Sequence, residues 1–261
     1  MTDTEREVRA ARRDSRSDQL RDVRATHAPV ESGPSVPPAS LDLAPLPPAI
    51  AEEYKSLRAR IRALQRERSF RSIVVASSRR GEGKTTTALN LAATFGLELE
   101  FDTCLVDLDL RAPQIGATLR PAPGPGVTDV LSGQVSLEQA LIPVRGTRLH
   151  VLPAGRPTER PSELLAASAI GELADSLHKR FAVTLVDSPP ALGLPDTLAI
   201  VGRFDAVLLV ACASATTARD LAATIERLDR VKVIGTVLNR APEEPHGYSY
   251  AGYGYASRDR G

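Results

Sequence analysis

Residues 72–92 read SIVVASSRRGEGKTTTALNLA, and few folds accommodate such a segment. A short aliphatic run gives way to a glycine-bearing loop, and the loop to a stretch of helix-forming composition. A phosphate needs donors converging from several directions with no side chain in the way. Gly81 and Gly83 leave the loop N–H groups free to wrap a β-phosphate, and the helix that follows points its positive end at it. Gly81, Glu82, Gly83, Lys84, Thr85 and Thr86 are therefore the expected ATP contacts. Lys84 is placed to reach the β/γ oxygens and the Thr85 hydroxyl to ligate Mg²⁺. Only four of the 33 basic residues are lysine, and Lys84 reads as an exposed loop lysine that adds little to a core. The strict pattern has Gly or Ala six residues before the lysine, where this chain has Ser78. A chance Gly-rich turn is the plain alternative, and the flanking strand and helix argue against it.

From Ser72 onward the pattern alternates aliphatic runs with helical stretches. The runs are 72–77, 103–108, 149–154, 182–187, 206–211 and 233–238. Each is continuous rather than alternating in and out, as expected for parallel strands covered on both faces. Helices fit over 84–97, 162–180 and 216–230. The expected fold is α/β, a doubly wound, mostly parallel sheet with its ligand at the carboxyl ends of the strands. Cys104 and Cys212 fall in or beside strands and read as small core fillers.

The ends differ in kind. Residues 1–28 mix seven arginines with six acids, and residues 29–48 carry seven prolines. Such a stretch cannot bury enough apolar surface to offset its ordering entropy, so 1–48 reads as a disordered tail and Pro-rich linker. Order is expected to start near Ala49, in a helix over 49–70. Ile50, Tyr54, Leu57, Ile61 and Leu64 form an apolar stripe on it. A domain over 49–241 follows, and then a flexible tail over 242–261, holding Tyr248, Tyr250, Tyr253 and Tyr255 among small residues.

Other classes are excluded. Two cysteines make no disulfide framework, and no Cys/His spacing suits zinc. No run of 18 uncharged apolar residues suggests a membrane span, and the charged N-terminus is unlike a secretory signal. A net charge of +1 gives no reason to expect nucleic acid.

Two further segments carry carboxylates where phosphates would lie. In CLVDLDLR (104–111), Asp107 and Asp109 stand two apart at a strand end, on the same side of the strand. An aliphatic strand gains nothing from such a pair unless a cation or hydroxyl meets it. In AVTLVDSPP (182–190), Asp187 closes an apolar run at the position that holds the Mg²⁺ shell beside a phosphate loop.

The order GEGKTTT, LVDLDLR, PSELL (161–165), VDSPP, VLN (237–239) and a tyrosine-rich end resembles the bacterial protein-tyrosine kinases of capsule and exopolysaccharide assembly. These are P-loop NTPases with deviant Walker boxes, akin to the partition ATPases. The resemblance implies that Lys84 binds the β/γ phosphates and Asp107 accepts the tyrosine proton. It implies that Thr85, Asp109 and Asp187 serve Mg²⁺, and that the four tail tyrosines are phosphoacceptors for a neighbouring subunit. Glu52, Lys55 and Arg58 correspond to the family's Glu-x-x-Arg-x-x-Arg oligomerisation motif, with lysine for the first arginine. Read alone, they form a slanted, solvated row on the helix.

The resemblance further implies a cytoplasmic kinase recruited to the inner face of the membrane by an adaptor of the polysaccharide co-polymerase type. It implies a ring-shaped homo-oligomer while unphosphorylated, and a cognate phosphatase. Two features depart from the family: Arg79–Arg80 replace the segment that usually ends in proline before GEGK, and Ser188 stands where threonine is common. A partitioning or positioning ATPase scaffold is the competing reading. Its signature lysine falls at Arg79, while the tyrosine tail and paired aspartates speak against it. A third is a regulator of polysaccharide export that binds ATP without kinase activity.

Overall fold

A computed structural model describes residues 41–119, 124–166 and 168–242. Of the tails expected over 1–48 and 242–261, residues 1–40 and 243–261, with Tyr248, Tyr250, Tyr253 and Tyr255, lie outside the described residues. Description begins earlier than the expected start at Ala49. Leu41 is buried, bridges Val144, donates to the Pro143 carbonyl at 2.9 Å and accepts from the Arg145 amide at 2.8 Å. One leucine seated on the sheet's edge is thus placed ahead of Pro45, Pro47 and Pro48, which the composition of 29–48 does not reveal.

The chain then runs α1 (Pro48–Glu67), β1 (Ser72–Ser77), α2 (Lys84–Gly96), β2 (Thr103–Asp107), α3 (Ile115–Leu119), α4 (Val127–Leu131) and α5 (Leu137–Ala140). It continues with β3 (Ile142–Pro143), β4 (Leu149–Leu152), α6 (Pro161–Ala166), α7 (Ala169–Arg180), β5 (Val183–Asp187) and α8 (Asp196–Val201). β6 (Ala206–Cys212), α9 (Ala218–Arg227), a 3₁₀ turn and β7 (Val233–Asn239) complete it. All six aliphatic runs form strands. The stretch read as one helix over 162–180 is two, α6 and α7. The pieces without forecast, α3, α4, α5, α8 and β3, are each six residues or fewer, too short for periodicity to show.

The sheet order is β3-β4-β2-β5-β1-β6-β7, parallel throughout except for the β3–β4 pair. Side chains alternate between two cores. Ile73, Val75, Leu105 and Leu185 face α2 and α1, where Leu91, Phe95 and Ile61 pack. Val74, Ala76, Val106 and Val186 face the other layer, with Leu173, Leu177 and Phe181. β1 lies between β5 and β6, and β5 between β1 and β2. The carboxyl ends of β1, β5 and β2 are therefore side by side, which brings the glycine loop, Asp187 and Asp107 together. No described helix is long and apolar enough to cross a membrane.

α1 packs on the domain's flank. Tyr54, Leu57 and Leu64 are partly buried against the core, Ile61 is 1% exposed, and Ile50 at the helix start remains 45% exposed. The Glu52–Lys55–Arg58 row divides. Lys55 and Glu52 pair with each other at 2.6 Å in solvent. Arg58 turns inward, donating to the Thr94 carbonyl at 2.6 Å and pairing with Glu98 at 3.0 Å. Arg62 holds the other oxygen of Glu98 at 3.1 Å and stacks 4.0 Å over Phe101. α1 is thereby tied to the C-terminal end of α2 by two arginines as well as by Ile61.

Because Ile61 is the one fully buried side chain of α1, Ile61→Ala should cost about 2–4 kcal/mol of unfolding free energy. Ile50→Ala should change it by about 0.5 kcal/mol or less. Urea denaturation followed by circular dichroism measures both. Equal losses for the two would show that α1 is not seated by Ile61.

Candidate active site

β1 ends at Ser77 and the chain turns through Gly81 and Gly83, whose φ angles of 85° and 99° lie in the left-handed region. Gly83 caps α2, and a Cβ there would run into the Asn239 side chain. Asn239, at the end of β7, donates to the Glu82 carbonyl at 3.0 Å. Position 83 thus needs glycine twice, for its φ and for this close approach. The loop and the first turn of α2 follow directly on the carboxyl end of β1, the place a phosphate cradle requires.

Lys84 is not the exposed loop lysine the sequence suggests. It is 7% exposed, and its Nζ lies 3.0 Å from Asp109 Oδ2 and 3.8 Å from Asp187 Oδ1. A buried ammonium needs a counterion, and the sequence supplies one from β2's end and one from β5's. Asp109 Oδ1 also accepts from the Ala112 amide at 3.3 Å.

Asp107 and Asp187 face each other across the parallel register of β2 and β5, and both are 0% exposed. Asp107 accepts from the Asp109 amide at 3.2 Å and from the Ile115 amide at 3.1 Å. Burial pushes its carboxyl up to about 7; the Asp187 charge adds to this, and the two amides oppose it. Burial likewise raises Asp187 to about 6, with the Lys84 ammonium and the adjacent Thr85 hydroxyl opposing. Neither oxygen of Asp187 meets a hydrogen-bond partner, and its contact with Lys84, at 3.8 Å, is an ion pair rather than a hydrogen bond.

That orphaned carboxylate is the feature that fits a hydrated cation. Water on such an ion would satisfy both oxygens of Asp187. The described residues contain no cage of three or more His, Cys, Asp or Glu able to hold a metal alone. Mg²⁺ keeps several waters and takes further oxygens from phosphates, so it needs few protein ligands. The residues present therefore suit Mg²⁺ bound with a nucleotide.

Gly81, Glu82, Gly83, Lys84, Thr85, Thr86, Asp107, Asp109 and Asp187 all gather at this edge. Glu82 contributes differently from the expectation. Its side chain is buried and turned toward α9 and its entry, as is that of Ser78, and the exposed Arg79 reaches the same helix.

One group was missed by sequence reasoning. Arg111 Nε donates to Asp196 at 2.6 Å and its Nη2 to the Ser162 hydroxyl at 2.6 Å, while Ser162 donates to Asp196. Asp196 is 2% exposed. The trio joins the loop after β2 to α6 and α8, and so braces Asp109. Arg111 and Ser162 stand inside the quoted motifs LVDLDLR and PSELL; Asp196 had no local signal.

Residues 73–251 match the CobQ/CobB/MinD/ParA nucleotide binding domain. The chain is similar to the tyrosine-protein kinase YwqD of Bacillus subtilis, 30% identical over 77% of this chain and 86% of that protein. It is also similar to the putative tyrosine-protein kinase EpsB of Ralstonia nicotianae, 30% identical over 79% of this chain. It spans only 27% of that longer relative. Among solved structures, the VpsO kinase domain superposes with a TM-score of 0.67 at 29% identity, covering 74% of this chain and 97% of that one.

The raised carboxyls have a thermodynamic consequence. A carboxyl whose folded-state pKa exceeds its unfolded value stabilises the fold at low pH, and that stability is lost as pH rises through the folded value. For Asp107 the window runs from about 4 to about 7. Thermal melts of ligand-free protein between pH 5 and pH 8 should show Asp107→Asn falling less steeply than wild type. Parallel curves would show that Asp107 titrates like an ordinary carboxylate.

Proposed function

The chain belongs to the bacterial tyrosine-protein kinases within the CobQ/CobB/MinD/ParA nucleotide-binding proteins, and on that premise we propose that it is an autokinase. It transfers the γ-phosphoryl of MgATP to Tyr248, Tyr250, Tyr253 and Tyr255 of a neighbouring subunit. The observation that carries this reading is the row Lys84, Asp109, Asp107 and Asp187 along the carboxyl ends of neighbouring strands. It combines a cation for phosphate, a carboxyl with a pKa near neutrality and an unsatisfied carboxylate for a metal's waters.

In this reading Lys84 exchanges Asp109 for the β/γ oxygens, and Thr85, Asp109 and Asp187 would hold Mg²⁺. When bound, the ion supplies positive charge that offsets what develops on the phosphate oxygens. Asp107 takes the phenolic proton of the acceptor tyrosine. The phenolate oxygen forms a bond to the γ-phosphorus as the bond to the β-phosphate oxygen breaks, and ADP leaves. Asp107 is 0% exposed and accepts from the Ile115 amide, so its surroundings must yield for a tyrosine to enter. Arg111, Ser162 and Asp196 keep Asp109 placed as it does so.

From the family resemblance we place the kinase in the control of capsular or exopolysaccharide polymerisation and export. It works at the inner face of the membrane beside an adaptor of the polysaccharide co-polymerase type, in a ring that a phosphatase restores. Glu52 and Lys55 remain available on α1 for subunit contacts, whereas Arg58 must first leave Thr94 and Glu98. Each phosphotyrosine adds about −1.5 to −2 charges. A modified tail is therefore repelled by Asp107, Asp109 and Asp187, which favours ring dissociation.

Lys84→Met should lower phosphotyrosine by about 100-fold or more in cells coexpressing the adaptor, measured by anti-phosphotyrosine blot. Mixing purified Lys84→Met protein with a variant truncated after Asn239 should then label the Lys84→Met tail. Undiminished labelling in the single variant refutes the site. Absence of label in the mixture, with wild type labelling itself, refutes transfer between subunits.

A further inference from the structure

Three side chains of the phosphate loop face away from the phosphate side and grip one helix. The hydroxyls of Ser78 and Thr224, 1% and 0% exposed, meet at 2.8 Å. Arg79 makes a two-pronged contact with Asp220, Nε to Oδ2 and Nη2 to Oδ1, both at 3.0 Å. Glu82, 3% exposed, accepts from the Thr216 hydroxyl with one oxygen and from the Arg79 amide at 2.8 Å with the other. Thr216, Asp220 and Thr224 are spaced by four, so they line one side of α9 and its entry. Thr217 fixes that entry by capping, accepting from the Asp220 amide at 3.0 Å.

Two of these contacts sit where the loop departs from its usual pattern. Ser78 replaces the first small residue, and Arg79 leads into Arg80, where a proline would limit the backbone. An unrestrained loop would have to order itself on the phosphates at an entropic cost. Here the ordering is already done by contacts to α9. Leu221 and Ile225 seat α9 on the core, while Thr224, its only fully buried residue, is turned to the loop, so the contact between helix and loop itself is made by polar bonds.

We propose that Asp220 is a positioning residue for the nucleotide site, acting through Arg79, and that α9 serves as the clasp that pre-forms the phosphate loop. This rests on the reading that the loop binds MgATP. A different role for Arg79, direct contact with phosphate, has the opposite sign. If Arg79 were a phosphate ligand held back by Asp220, removing that carboxylate would release a cation toward the nucleotide and tighten binding. If Arg79 anchors the loop, the same change weakens binding.

The test uses the full-length chain and a fluorescent ATP analogue with Mg²⁺, so it needs no kinase activity. Asp220→Asn should raise the dissociation constant about three- to five-fold, as befits a partly exposed two-pronged pair. The ratio to wild type should shrink at high salt. Asp220→Glu, which keeps the charge, should recover most of the affinity, and in phosphorylation assays KM for ATP should rise more than kcat falls. A cooperative thermal melt for each variant verifies the fold. Unchanged or tighter binding by Asp220→Asn overturns the proposal, as does failure of Asp220→Glu to recover. Failure of wild type itself to bind the analogue would instead overturn the ATP-site reading.

Discussion

Everything at the carboxyl edge of the sheet depends on one buried ammonium. Lys84 Nζ, 3.0 Å from Asp109 and 3.8 Å from Asp187, is among the described residues the side-chain cation paired with both of these carboxylates. In an interior of low dielectric, like charges at this spacing repel strongly. Burial first, and the neighbouring like charge second, make Asp107 and Asp187, opposed across the register of β2 and β5, hold protons more tightly than exposed carboxyls do. The glycine loop exists to aim backbone amides at a phosphate, but it also fixes where α2 begins and therefore where Lys84 emerges. Strand order does the rest. Had β5 not lain between β1 and β2, neither aspartate would reach the loop.

Much of this is legible in the chain because it is written locally. The aliphatic runs are continuous, so each strand can be found without knowing its neighbours. GEGKTTT encodes a turn and a helix start, and the two-residue spacing of Asp107 and Asp109 marks a strand end. What is not legible is pairing at long range. Arg111 and Asp196 are 85 residues apart, Ser78 and Thr224 146 apart. Nothing in the character of an aspartate at 196 or a threonine at 224 says which partner the fold brings to it. Burial of Lys84 fails for the same reason, since its cover comes from loops after β2 and β5.

Arg58 shows the other way a local reading stops short. Its spacing from Glu52 and Lys55 marks a shared helix stripe, and a stripe of charge reads as solvated. An arginine is long enough, however, to lay its apolar stem over a neighbouring helix and deliver its guanidinium to that helix's C-terminal carbonyls. Thr94 and Glu98 stand at that end of α2. The same residue type can therefore serve α1's attachment within the subunit or its contact with another. These uses compete for one guanidinium, so its intramolecular bonds set the energy that any subunit contact must exceed.

The same competition governs Asp187. A buried polar group without a partner costs about 1–3 kcal/mol, and evolution of stability alone would replace it. β5 can carry it because Val183, Leu185 and Val186 are each fully buried. At about 1.5–3 kcal/mol apiece, these three side chains outweigh the orphaned carboxylate beside them. The aliphatic strand is thus more than a scaffold that happens to end near the nucleotide. Its apolar length is what lets the fold keep a carboxyl without hydrogen bonds at its tip, suited to the waters of a metal ion, without unfolding the edge on which Lys84, Asp109 and Asp107 depend.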